Sequence, residues 1–60
     1  MSKIMLLYKE FDVMNKADMY KATDVETGEL LYSSMTRKFI LNNVIDEAKI
    51  LIIDESFREV

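Results

Sequence analysis

Two short segments constrain this chain more than any other feature, because each is apolar on both sides of an extended backbone. In KILIID, Lys49 to Asp54, alternate side chains of a strand send Ile50 and Ile52 to one face and Leu51 and Ile53 to the other. Residues 3 to 9 repeat the pattern, with Ile4, Leu6 and Tyr8 opposed to Met5 and Leu7. A strand with one wet face alternates apolar and polar residues, and these two do not. Both are therefore expected inside a sheet with both faces covered.

The other elements follow from punctuation. The chain has no proline and a single glycine, Gly28, so most breaks have to be read from polar clusters. Asn15 to Asp18 reads as a turn, after which Met19 to Asp24 resumes an extended pattern. Asp24 can accept a backbone hydrogen bond two residues on, and Gly28 can take a left-handed conformation, which makes 24 to 29 a hairpin corner. Leu30 to Tyr32 then pairs back on Met19 to Thr23. Beyond it, Leu41, Val44, Ile45 and Ala48 have the i, i+3, i+4, i+7 spacing of a buried helix face, widened by Ile40, with Ser34 or Thr36 as N-cap.

That spacing predicts a helix over about 36 to 47. Its charges are reversed against the macrodipole: Arg37 and Lys38 stand at the start, Asp46 and Glu47 at the end, each unfavourable by roughly 0.3–1 kcal/mol. Burying four or five aliphatic side chains at about 1.5–3 kcal/mol each outweighs this. The order β, β, β, α, β defines an α+β domain, one helix on a three- to four-stranded, mostly antiparallel sheet. The alternative is an all-β small barrel, in which Asn42-Asn43 turns a hairpin between KFIL and VID.

Sixty residues are expected to make one domain, near the lower size limit for independent folding, where about 60% of the unfolded surface is buried. There is no cysteine and no histidine, so disulfides and a Cys/His-bound structural metal are both excluded as staples. The apolar run after Lys3 stops at Tyr8-Lys9-Glu10, too short for a secretory leader, and no stretch approaches the roughly 18 apolar residues of a membrane span. A cytoplasmic location without membrane attachment is expected.

The same inventory argues against an enzyme, with no imidazole or thiol to serve as base, nucleophile or ligand near neutral pH. No cofactor or metal is expected. Asp24, Glu26 and Glu29 lack the alternating ligand pattern of a calcium loop. The pairs Asp46-Glu47 and Asp54-Glu55 read as solvated charge, and Ser33-Ser34 lacks the glycine setting of a nucleophile elbow. Among the five methionines, Met5, Met14, Met19 and Met35 read as core filler rather than as an adaptable binding surface. Nucleic-acid binding is the second function class. Lys16, Lys21, Arg37 and Lys38, near Tyr20, Tyr32 and Phe39 in sequence, suggest a small basic and aromatic platform, against a net charge of −3.

Counting faces leads to the leading expectation. One helix covers one side of the sheet, which leaves a second apolar side bare, and that side is assigned to Met5 and Leu7 or to Leu51 and Ile53. Exposed contiguous apolar surface marks an interface, so the chain is expected to be a non-enzymatic protein-binding module that forms a homodimer or engages a protein partner. An edge strand, either Leu30 to Ser34 or the last strand, offers β-addition as a second route. The length and element order resemble the small antitoxin and inhibitor proteins of lytic phages, and heavy use of Lys, Ile, Asn and Met fits an AT-rich phage or mobile-element gene. The resemblance implies binding and blocking of a host protein, and it assigns no residue.

Overall fold

The fold is built on one long hairpin, seen in a computed structural model that describes residues 3–58. Strand β1 (Lys3–Asp12) turns through Val13 to Lys16 into β2 (Ala17–Asp24), with Leu7 opposite Ala22 and Phe11 opposite Asp18. Lys16 takes a positive φ of 54° in that turn. The second corner leads to β3 (Leu30–Ser34), antiparallel to β2. Helix α1 (Arg37–Val44) then crosses the sheet to β4 (Ala48–Ile53), parallel to β1, and a short 3-10 turn (Glu55–Phe57) follows. The sheet order is β3-β2-β1-β4, open at both edges. The α+β class holds, and the barrel alternative does not.

The glycine corner forms as its residues require. Asp24 Oδ1 accepts the N–H groups of Glu26 (2.9 Å) and Thr27 (3.3 Å), its carbonyl accepts from Gly28 N–H at 2.7 Å, and Gly28 has φ +78°. Asp24 is itself buried, with its carboxylate turned to neighbouring amides. A buried carboxylate is tolerated because its hydrogen bonds replace those to water.

The helix is shorter than the periodicity predicts. It ends at Val44, buries Ile40 and Val44, and leaves Leu41 and Ile45 exposed. Ala48 belongs to β4, where it pairs with Lys3. Pairing with β1 therefore takes residues that the helical pattern claims, and the buried stripe shrinks to one i, i+4 pair. The reversed charges also matter less than expected. Asp46 and Glu47 lie beyond the helix, and Glu47 accepts a hydrogen bond from Tyr32 Oη and faces Lys3 Nζ at 3.8 Å. At the other end Thr36 makes no side-chain cap, and no acidic residue occupies the first turn.

The core lies on one side of the sheet: Met5 and Leu7 of β1, Tyr20 and Ala22 of β2, Ile40 and Val44 of α1, and Phe57 of the 3-10 turn. Phe57 packs edge-on against Tyr20, ring centroids 5.4 Å apart at 80°. Asp54 caps this turn by accepting from Ser56 N–H at 2.9 Å and Ser56 Oγ at 2.6 Å, while Ser56 Oγ accepts from Lys9 N–H at 3.0 Å. These bonds hold its carboxyl below the ordinary aspartate range, the Ser56 hydroxyl contributing most. The turn extends the cover of β1 that the helix does not give, since α1 packs on β2 and β3.

Two expectations need correction here. Strand β4 is an edge strand, with only β1 beside it, and it is not covered on both faces, since Ile50 and Ile52 are exposed on one and Ile53 on the other. Met5 and Leu7 face the helix side and are fully buried within the chain. The bare side is the opposite one.

Replacing Gly28 by Val should destabilise the fold by about 1–2 kcal/mol, the cost of a left-handed conformation for a residue with a Cβ. No atom lies within 4 Å of the added Cβ, so the penalty is purely conformational. Gly28→Asn, which tolerates that region, should lose much less. Urea midpoints of the two variants check this, and equal midpoints would contradict the corner as described.

Candidate functional site: the open face of the sheet

The side of the sheet away from α1 divides into a polar half and an apolar half. Toward the hairpin tip, Tyr8 Oη and Thr23 Oγ1 are hydrogen bonded at 2.8 Å, and Lys21 Nζ meets Glu10 Oε2 at 2.9 Å. Register puts these pairs on one face, because Tyr8 stands opposite Lys21 and Glu10 opposite Met19. The Lys21 side chain is 10% exposed, and its hydrogen bond to Glu10 holds the ammonium above the usual lysine value. A nearly buried ammonium needs such a partner to offset its lost hydration.

The apolar half crosses all four strands. Leu6 is flanked by Thr23 on β2 and by Ile52 on β4, and Ile4 has Ile50 beside it. Val25 prolongs the β2 ladder by donating its N–H to Ile4 O at 2.9 Å, and Leu30 pairs with Thr23 from β3. Ile50, Ile52, Val25 and Leu30 are 49%, 45%, 47% and 50% exposed. These neighbours form one band, whereas isolated exposed aliphatics are ordinary. Where the two halves meet, a shallow groove of about 460 Å³ runs between Leu6, Tyr8 and Thr23 on one side and Asp54 and Ser56 on the other.

The residues assigned to an interface from sequence are therefore distributed differently. Met5 and Leu7 are interior, Leu51 is partly buried against the core, and Ile53 is 41% exposed on the helix side. The band is made by the other parity, Ile4, Leu6, Ile50 and Ile52, with Val25 and Leu30 from either side of the glycine corner. Counting apolar faces finds that one is bare. Which parity it is depends on the side from which the helix crosses, and no residue in the strands encodes that.

The basic and aromatic platform does not assemble as a unit. Lys21 is tied to Glu10, Tyr20 is buried in the core, and Tyr32 Oη donates to Glu47, which raises the phenol's pKa. Lys16 sits in the β1–β2 turn. Arg37 and Lys38 do border one concavity with Tyr20, Met35 and Leu41, beside the first turn of α1. The four described methionines split evenly: Met5 and Met19 are buried, while Met14 and Met35 are exposed. No group of three acidic, His or Cys residues among those described is placed to hold a metal. No described helix is long and apolar enough to cross a membrane.

Glu10→Gln tests the organisation of the polar half. A lysine whose folded pKa is raised stabilises the fold fully below its unfolded value, about 10.4, and loses that contribution as pH rises through the folded value. The variant should be less stable than wild type from pH 7 to about 10, and the gap should narrow above that. Urea midpoints across this range check it. No protein-family model, no curated protein and no solved structure matches the chain.

Proposed function

We propose that this chain is a protein-binding module that docks the open face of its sheet onto another protein. The observation that carries the reading is the band of Ile4, Leu6, Ile50 and Ile52, extended by Val25 and Leu30, left uncovered on the side opposite the helix. Half-exposed isoleucines gain about 25 cal/mol for every Å² of apolar area removed from water. A partner that covers them recovers this free energy.

Shape and polarity support the same reading. The domain measures 33 × 24 × 17 Å, so its broad side is of the order of the roughly 800 Å² that each partner contributes to a standard interface. The groove beside Tyr8, Asp54 and Ser56 gives the apolar band a polar flank, the usual anatomy of a specific interface. Nucleic-acid binding draws on Arg37, Lys38 and the exposed Phe39 among its clustered candidates, since Lys21, Tyr20 and Tyr32 are engaged inside the chain.

Ile52→Asp tests the proposal. The side chain is 45% exposed, so the variant should keep the wild-type circular dichroism spectrum and lose at least tenfold in affinity for the bound protein, a change of about 1.4 kcal/mol. Tagged protein exposed to cell lysate, with bound protein and bound nucleic acid measured separately, is the assay. Arg37→Glu with Lys38→Glu should leave protein capture intact. Capture of RNA or DNA that this double variant abolishes and Ile52→Asp spares would overturn the reading in favour of nucleic acid.

A further inference from the structure

Strand β4 has a second unsatisfied feature, its outer edge, which is a different surface from the open face. It is exposed on both sides at once, through Ile50 and Ile52 on the open side and Ile53 on the helix side. A protein lying on the open face covers the first two and leaves Ile53 in water. A strand added to the edge flanks all three. The devices that usually blunt a free edge are sparse here: the regular part, Ile50 to Ile53, has no charge and no proline. Lys49 and a register shift at Lys3/Ile4 lie at the start of β4, before this regular part, whereas the other edge, β3, carries Ser33 and Ser34 and runs beside a register shift at Ala22/Thr23.

We infer that β4 pairs antiparallel with β4 of a second copy, joining two sheets into one of eight strands. The backbone limits the registers. Asp54 donates its N–H to Leu7 O at 2.8 Å, so Ile50 and Ile52 also turn their polar groups toward β1, and Leu51 and Ile53 turn theirs outward. Outward groups have to meet outward groups across a new ladder, and this same parity keeps the two open faces on one side of the joined sheet.

Charge selects among the registers left. With Ile52 on the two-fold axis, Leu51 exchanges hydrogen bonds with Ile53 of the second copy, and Lys49, just before the regular part, comes near its Glu55, the first residue of the 3-10 turn, which the extended Asp54 (φ −69°, ψ 153°) carries on from the strand. Lys49 and Glu55 are exposed, and neither forms an ion pair among the described residues. The two-fold makes this pair twice, so the strand is complementary in charge to its own reverse. That self-complementarity identifies the occupant as a second copy of this chain. The Ile52 pair, lying across the axis at a position without direct hydrogen bonds, has Cα atoms about 4.5 Å apart.

The absence of cysteine makes a direct test available. Ile52→Cys should form an intermolecular disulfide under mild oxidation, since the separation suits the bond, while Ile50→Cys should not. In sedimentation equilibrium the wild type should have twice the chain mass of 7.1 kDa. Lys49→Glu should weaken the dimer at least tenfold, and combining it with Glu55→Lys should restore wild-type affinity. A monomeric wild type at hundreds of micromolar overturns the inference, as does a double variant no tighter than Lys49→Glu alone. A wild type that is monomeric and still captures a partner removes the edge pairing and leaves the open-face reading standing.

Discussion

The crossing from β3 to β4 determines most of what this molecule exposes. Hairpin connections place β1, β2 and β3 side by side, and the last strand then pairs on the far side of β1, parallel to it. A parallel connection cannot be a tight turn and has to pass over a face of the sheet. The outer strands are three spacings apart, about 14 Å, whereas eight helical residues span about 12 Å. The helix therefore lies over β2 and β3 and hands the chain to β4 without covering it. The 3-10 turn fills the gap over β1 with Phe57, and among the described residues the cover stops short of Ile53, while Ala48 and Leu51 pack against the margin of the core.

This geometry explains why strong strand signals end in an exposed strand. KILIID is apolar on both faces, which is the pattern of an interior parallel strand, yet in the chain alone it is the edge. Strand β1 shows the same pattern and does lie inside the sheet, so the conflict of position is local to β4, although β1 shares its bare face through Ile4 and Leu6. A sequence that specifies an interior strand and a fold that places it outside agree if the sheet continues into another molecule.

Much of the fold is legible from residues one at a time. Asp24 and Gly28 specify their corner by their own chemistry, and the alternation of Ile4, Met5, Leu6 and Leu7 specifies β1. The helix boundary is harder, because Ile45 and Ala48 satisfy a helical period and only pairing with Lys3 and Ile4 draws the chain into β4. The candidate site is legible as a quantity, one bare apolar face, and illegible as a set of residues. Val25 and Leu30 flank the glycine corner in sequence, where Val25 reads as loop and Leu30 as the first residue of a strand with no face assigned. Only the register that sets Leu30 against Thr23, and the hydrogen bond from Val25 to Ile4, puts them in line with Ile50 and Ile52.

The polar half of the open face bears on how a partner is positioned. An apolar band alone is non-directional, because burial depends on area and not on orientation. Tyr8 with Thr23, and Glu10 with Lys21, supply fixed donors and acceptors at one end of the band. Their mutual bonds hold these side chains in place before any partner arrives, which lowers the ordering cost of association. Lys21 is the main element, since its ammonium is nearly buried and already neutralised by Glu10. A partner that placed an apolar group over that end would dehydrate the carboxylate of Glu10, whose side chain is still 55% exposed, and would gain no compensating bond. Orientation on the face is thus set by exclusion at the polar end as much as by attraction at the apolar one.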